Sequence, residues 1–538
     1  MSKLKLLLLS VSSGLIFTLS WPMGGFPGLI FFAFIPLLFL QDELQQNPGY
    51  STWHALFLSY PGFFTWNILT TWWIYNSTGF GVTMAVFFNS LFMSLVFTLY
   101  HATKKKLQLG TRGLFILPLF WISFEYLHMR WDLTWSWLNI GHAFAYYPRW
   151  IQWYEYTGIF GGALWVFAVN ILLYMAISGF LREKALTPAL RIKVLAAAGM
   201  FALPLIFSYV IYFQYEEKSD PVNVVVVQPN IDPYKEQYSL PPHEVMAKIF
   251  GLASQKMDQN TDFLVAPESA IQENIWEDNP SSSYTMFALR DSLQKWPKTA
   301  MVIGASTYWR FADPNDISAT ARWSADLQSW YDAYNTAVFM NSKGKYQTYH
   351  KSKLVVGVER MPFPKYLKFL ESYALDLGGT VGSLGISENR TAFHDGPGRV
   401  VSAATICYES VYGEFFTGFV KNGAKVMFII TNDGWWGNTA GHKQHLGFAA
   451  IRAIENRRSI ARSANTGISC FVDQRGEMHQ QTKYWEQAVI RGTINANDKL
   501  TFYTRYGDYA GRWALGISGA ILLFAIVFRN KYLKKQNI

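Results

Sequence analysis

Residues 402–413 read SAATICYESVYG. A short run of small and β-branched residues reads as a buried strand, and Cys407 follows it at once, with Tyr408 and Glu409 beside it. Cysteine is scarce in this chain: Cys407 and Cys470 are the only two in 538 residues. A cysteine in a strand is more often a small core residue, which is the reading given to Cys470 in GISCFVD (467–473). What separates Cys407 from it is the company at other strand ends. FLVAPESAI (263–271) places Glu268 just after an apolar strand, and YQTYHKSKLVVGVERMPF (346–363) places Lys351 after another, with Glu359 eight residues on. Singly, each has a bland reading: a glutamate after a strand usually caps or faces solvent, and a lysine in HKSK is usually solvated. Together they are the parts that acyl chemistry on a thiol requires. The thiolate is the nucleophile, a base must take its proton, and a cation must meet the oxyanion. Glu359 and Glu409 are the candidates for holding Lys351 charged. No zinc-type Cys/His spacing occurs, His442 and His445 lack a third ligand, and there is no phosphate-binding glycine loop.

Outward from these segments, residues 215–510 alternate short apolar runs with amphipathic stretches. VNVVVVQPN (222–230), AMVIGAST (300–307), YNTAVFMN (334–341), AKVMFIITNDG (424–434) and AVIRGTI (488–494) read as strands, and helices are predicted near 241–258, 283–297 and 441–462. Continuous apolar strands interleaved with helices predict a layered α/β domain with buried sheets. FADPNDISATARW (311–323) and LDLGGTVGSLGISENR (375–390) read as surface loops.

The rest of the chain is of another kind. With 50% hydrophobic and 17% aromatic residues, the protein is too apolar for an ordinary soluble chain. Stretches near 4–20, 24–41, 54–75, 80–101, 113–129, 156–181, 193–214 and 511–529 are each long enough to cross a bilayer, which takes about 20 apolar residues, giving about eight spans. The first is read as retained rather than as a cleaved leader. One alternating set of segments carries Lys3, Lys5, Lys104, Lys105, Lys106, Arg112, Arg182, Lys184, Arg191, Lys193, Arg529, Lys531, Lys534 and Lys535, against Arg130 and Arg149 in the opposite short loops. The excess predicts both termini in the cytoplasm and the 215–510 domain outside. These anchors account for most of the formal charge of +10 and favour anionic lipid; no nucleic-acid footprint is present. The two cysteines are read as free thiols. MRWDLTWSWLNIGHAFAYYPRWIQWYEY (129–156) is dense in Trp and Tyr and reads as an interfacial belt, or as a lining where lipid reaches the site.

The ordered Glu268, Lys351 and Cys407 segments, with YNTAVF before the lysine and TNDGWWG (431–437) after the cysteine, resemble the nitrilase (carbon-nitrogen hydrolase) superfamily. Set between seven spans and one, they are more similar to its membrane branch, the apolipoprotein N-acyltransferases of Gram-negative bacteria. WLNIGHAF (137–144), VVVVQPNI (224–231) and QHLGFAAIRAIENRRSIARSANTGIS (444–469) match that branch in placement and character. The resemblance implies an αββα sandwich in the periplasm on a bundle of eight helices in the inner membrane, with Glu268, Lys351 and Cys407 as catalytic triad and Glu359, Tyr408 and Glu409 as supporting residues. It implies that Cys407 takes an acyl chain from a phospholipid, phosphatidylethanolamine, and passes it to the α-amino group of the S-diacylglyceryl cysteine of an apolipoprotein. No metal or other cofactor is called for. Trp435 and Trp436, and the loop near 361–378, are predicted to close over the chain. Where the family continues from the lysine through LVPFGE, this chain has LVVGVERMPF, so the Glu359 loop is its point of departure. The alternatives are a membrane-anchored amidase that hands the acyl group to water, and a non-catalytic lipoprotein-binding protein of the same fold.

Overall fold

The computed structural model describes residues 1–360, 363 and 383–536, and divides into two compact units, Met1–Gln214 with Tyr506–Ile538, and Tyr215–Arg505. Apart from Phe363, the predicted lid near 361–378 lies outside the described residues.

The first unit is helical: α1 (Lys3–Ser20), α2 (Ile35–Gln46), α3 (Trp53–Thr71), α4 (Gly79–Lys106), α5 (Ile116–His128), α6 (Tyr154–Glu183), α7 (Pro188–Gln214) and a last helix, Tyr509–Gln536. Six stretches among the described residues are long and apolar enough to cross a membrane, so this is a multi-pass membrane protein. The two remaining predicted spans are also helical but differ in kind. The span near 54–75 carries Pro61 inside α3 and gives way to a 3-10 turn at Trp72–Asn76. The span near 113–129 is a 13-residue helix continuing a 3-10 turn, Gly110–Phe115. The second span is likewise broken, into a 3-10 turn at Pro27–Phe32 and then α2. Backbone exposed by such a break needs a partner inside a bilayer. Asn170 of α6 supplies it, accepting from Phe34 N (2.9 Å) and donating to Ile30 O (2.9 Å).

Beyond Arg191 and Lys193 in its first turns, helix α7 is apolar and mostly uncovered, with Leu195, Leu203, Phe207 and Phe213 exposed, a surface suited to lipid. The aromatic stretch departs from the belt reading in its middle. Residues 136–145 fold as tight turns and are buried, while Trp131 stays exposed. Ile140 N donates to the Glu125 carboxylate (2.8 Å) and Tyr154 Oη to Gly141 O (2.9 Å). A Cβ on Gly141 would stand 2.2 Å from Ile159 O, so glycine is what lets this segment lie against α6. Lys104 also departs from the simple anchor reading: it is buried, donating to Gln41 Oε1 at 2.6 Å and pairing with Asp42 at 3.4 Å.

The second unit holds two sheets. The first contains β1 (Pro221–Gln228), β2 (Phe263–Val265), β3 (Ile271–Trp276), β4 (Ala300–Arg310), β5 (Arg322–Ser324), β6 (Ser329–Asn341) and β7 (Tyr346–His350). The second contains β8 (Ser402–Ile406), β9 (Val426–Thr431), β10 (Ile460–Ala464), β11 (Cys470–Val472) and β12 (Met478–His479), while β13 (Ala488–Asn495) returns to the first. Their orders are β13-β1-β2-β4-β6-β5, with β3 on β4 and β7 on β6, and β12-β11-β10-β9-β8. Strands β1, β2 and β4 run parallel, as do β8, β9 and β10. Parallel neighbours need crossovers, and helices supply them. Helices α8 (Pro242–Ala253) and α9 (Tyr284–Leu293) bury Val245, Ile249, Leu289 and Leu293 against Val225, Leu264 and Met301. Helices α10 (Gly413–Lys421) and α11 (Ala440–Asn456) link the strands of the second sheet. Between the sheets Phe263 meets Phe428 edge-on at 5.2 Å, and Ser463 Oγ donates to Val227 O at 2.8 Å. With both faces of the strands covered, Val224 to Val227 are all buried, each worth about 1.5–3 kcal/mol. This is the predicted αββα sandwich.

One element was misread. The helix expected over 441–462 stops at Asn456, where Arg457 turns left-handed, and residues 460–464 are strand β10. Apolar residues at helical spacing run across this junction, but β10 is buried on both faces, so its pattern alone does not mark it as a strand.

Candidate active site

The parallel strands end on one edge, where α/β sheets generally expose functional groups. Glu268 follows β2, Lys351 follows β7, Cys407 follows β8 and Asn432 follows β9. The structure brings the predicted residues together. Lys351 Nζ, 1% exposed, donates to Glu268 Oε1 at 3.0 Å and to Glu359 Oε1 at 2.8 Å. Burial works against the ammonium, but the two carboxylates outweigh it and hold the Lys351 pKa well above the usual lysine value. Cys407 is buried and close enough to feel both partners. Burial and then the Glu268 charge push its thiol well up, while Lys351 pulls it down, so sulfur rests protonated.

Cys407 has φ 49 and Ser269, next to Glu268, φ 52. Left-handed backbone costs a side-chain-bearing residue about 1–2 kcal/mol and marks a sharp strand-to-turn reversal that presents the side chain at the strand end. Glu268 is placed by close backbone approach. Gly304 N on β4 donates to Pro267 O (3.0 Å), and a Cβ on Gly304 would lie 2.5 Å from Glu268 Cα. Gly304→Ala is therefore expected to slow acylation of Cys407 about 100-fold by shifting the carboxylate. It should also cost about 1–3 kcal/mol of stability. Single-turnover rates beside thermal melting check both.

The two supporting glutamates divide their work. Glu359 pairs directly with Lys351, and its Oε2 accepts from Val355 N (2.8 Å). Glu409 acts on Lys351 only at longer range. Its carboxylate instead accepts from Tyr349 Oη (2.6 Å), Ser352 N (2.6 Å), Lys353 N (3.3 Å) and Ile406 N (2.8 Å), tying the turn after β8 to the segment that carries Lys351. Burial pushes its pKa up from 4.5 to about 7. Its contribution to stability is thus present below pH about 4.5 and lost as pH rises through about 7. The site responds in the opposite sense, because protonated Glu409 can no longer accept from all four donors. Acylation is expected to slow as pH falls through about 7, and Glu409→Gln to abolish that limb at the lower rate. A pH–rate profile decides.

Tyr408 is buried with its ring edge-on to Tyr412 at 5.2 Å, packing the turn. Trp435 and Trp436 are half-buried in the turn after β9. Trp435 O accepts from Tyr234 Oη (2.8 Å), and the Trp436 ring meets His445 at 5.6 Å.

Two contributors were not anticipated. Asn335 Nδ2 donates to Glu268 Oε1 (2.8 Å) and Glu359 Oε1 (3.1 Å), bridging the carboxylates, while its main-chain O accepts from Lys351 N (2.8 Å). Asn432 N donates to Glu268 Oε2 at 3.0 Å. A polar residue inside the apolar strand YNTAVFMN was the available signal for Asn335. Cys407 Sγ, a carboxylate oxygen of Asp433 and a ring nitrogen of His445 lie within 4.8 Å of one another. This is no ready cation site: Asp433 Oδ2 accepts from Arg462 Nη2 at 2.5 Å, and Oδ1 accepts from Thr431 Oγ1 at 2.7 Å with His445 Nδ1 at 2.9 Å. Both cysteines are free and buried.

A buried thiol at a strand-end reversal beside a buried lysine held between two carboxylates is an arrangement suited to acyl chemistry on sulfur. Residues 223–499 match the carbon-nitrogen hydrolase family and residues 13–172 the apolipoprotein N-acyltransferase N-terminal domain. The apolipoprotein N-acyltransferase of Chlorobaculum tepidum is 29% identical over 96% of this chain and 96% of its own, and that of Geobacter metallireducens 27% over 98% and 96%. Among solved structures, Saccharomyces cerevisiae Nit3, of the nitrilase superfamily, aligns with 54% of this chain and 95% of its own at 16% identity and a TM-score of 0.36. The chain belongs to the carbon-nitrogen hydrolase family, in its membrane-embedded apolipoprotein N-acyltransferase branch.

Proposed function

We propose that this protein transfers an acyl chain from a phospholipid, phosphatidylethanolamine, to the α-amino group of the S-diacylglyceryl cysteine at an apolipoprotein N-terminus, through a thioester on Cys407. The observation that carries the reading is the buried Lys351 ammonium, bound by Glu268 and Glu359 together. Glu268 takes the proton of Cys407, which moves one negative charge from carboxylate to sulfur and leaves the net charge of the pocket unchanged. Glu359 keeps its own contact with Lys351 Nζ at 2.8 Å, so the lysine has a second carboxylate partner while Glu268 carries the proton. The thiolate attacks the ester carbonyl, Lys351 meets the oxyanion, and the departing lysophospholipid alkoxide recovers the proton from Glu268. In the second half-reaction Glu268 takes a proton from the attacking amine, and the thiolate leaves as the amide forms.

Membrane embedding fits these substrates. Each buried CH₂ of an acyl chain contributes about 0.8 kcal/mol to its hold on the bilayer, so an enzyme resident in the membrane avoids extracting whole chains. The Lys and Arg excess flanking the helices supports cytoplasmic termini and a catalytic domain on the periplasmic side of the inner membrane. The contact of the Trp436 ring with buried His445 supports a part for Trp435 and Trp436 in keeping water from the thioester. Incubation with phosphatidylethanolamine and a diacylated lipopeptide, followed by mass spectrometry, tests the reading. Triacylated peptide is expected; free fatty acid with unmodified peptide means a hydrolase, and neither product means a non-catalytic protein.

A further inference from the structure

Among the described residues, the acyl-transfer scheme leaves unused a buried charged cluster that touches the Cys407 backbone. Asp433, His445 and Arg462 come from the turn after β9, from α11 and from β10, and all three are fully buried. Arg462 Nη2 donates to Asp433 Oδ2 (2.5 Å) and lies 3.2 Å from His445 Nδ1, while its Nη1 donates to Ile468 O (2.5 Å). His445 Nδ1 faces Asp433 Oδ1 at 2.9 Å. On the other side of the ring, Nε2 lies 3.0 Å from Cys407 O and 3.0 Å from Ser410 Oγ. Cys407 O and the Asp433 carboxylate both only accept, so each ring nitrogen donates, Nε2–H to Cys407 O and Nδ1–H to Asp433 Oδ1. Ser410 Oγ donates to the same oxygen at 2.8 Å.

Two donors thus converge on one main-chain carbonyl, that of the residue held at φ 49. A non-glycine residue keeps such backbone only where its surroundings over-determine it. The ring in turn cannot rotate, because Asp433 holds its far nitrogen and Arg462 holds Asp433. Arginine and histidine here are not solvated charges of a helix face but the end of a chain of contacts terminating on the nucleophile.

We propose that His445, braced by Asp433 and Arg462, is a positioning residue for acyl transfer: its Nε2–H holds the Cys407 carbonyl and so fixes the reversal that sets the sulfur against Glu268 and Lys351. This rests on Cys407 being the nucleophile. The test uses the full chain in detergent with phosphatidylethanolamine as donor. His445→Leu should lower the single-turnover rate of Cys407 acylation about 100-fold, the cost of a small misplacement of a reacting atom, while half-saturating phospholipid and thermal melting stay close to wild type. His445→Gln, whose amide N–H can reach the same carbonyl, should keep at least about a tenth of the wild-type rate. Wild-type acylation in His445→Leu overturns the assignment, and so does a folded His445→Gln protein slowed by about 100-fold. If the leucine variant does not fold, the glutamine variant decides alone. Failure of the underlying reading is distinct, since wild-type protein would then carry no acyl group on Cys407.

Discussion

Cys407→Ala is expected to bring acyl transfer to a diacylated lipopeptide down to background, a loss on the order of 10⁵–10⁶, while the protein stays folded. The size follows from the proposed role of Cys407 as the nucleophile that carries the acyl chain. Glu268 and Glu359 are committed to Lys351, while the second cysteine, Cys470 of β11, pairs with Arg462 of β10, and burial pushes its thiol pKa up to about 12. Truncating a side chain as small as cysteine costs no more than about 1–2 kcal/mol, below the typical stability of a domain. Transfer of an isotope-labelled acyl chain in a single turnover, with thermal melting of the same sample, measures both halves of the expectation.

Glu268→Gln is expected to lower the rate of thioester formation by about 10³–10⁴, the upper range for removing a general base. Glutamine cannot take the thiol proton, and its amide nitrogen would confront the N–H of Asn432 that now donates to Oε2. The same variant should show an opposite effect in a second measurement. Burial and then the Glu268 charge hold the Cys407 thiol up, so removing that charge should move the pH at which iodoacetamide alkylates Cys407 downward. A thiol that becomes more acidic while the enzyme becomes slower is the signature of a lost base; a merely distorted site would slow both reactions with no shift. Glu359→Gln, which leaves the base in place, should cost less than Glu268→Gln in transfer.

Much of the soluble fold was legible because its strands are buried on both faces. Runs such as VNVVVVQPN and AKVMFIITNDG carry no helical periodicity, and the strands within them end at Gln228 and Thr431, just before the polar residues that close each run. The candidate triad was legible in part for a related reason: Cys407 stands directly beyond the buried strand β8 and Glu268 three residues beyond β2, which is a one-dimensional property, whereas Lys351 follows β7, a strand that is only partly buried. Asp433, His445 and Arg462 act through partners supplied by other elements, so nothing local distinguishes them from ordinary polar residues, and Asn335 was marked only by its polarity inside an apolar strand. Strand β10 was hidden because SIARSA, read with the preceding AAIRAIEN, mimics the spacing of one long helix. The breaks in the membrane spans were hidden too. Whether Ala33 and Phe34 interrupt a helix depends on Asn170, far along the sequence.

The central claim is that Cys407 carries the acyl chain between donor and acceptor, and intact-protein mass spectrometry tests it most directly. After incubation with phosphatidylethanolamine, the wild-type protein should gain the mass of one acyl chain, removable by hydroxylamine, mapped to Cys407 and discharged by added diacylated lipopeptide as the amide appears. An unmodified wild-type protein that still produces triacylated peptide, or an equal adduct in Cys407→Ala, would contradict it.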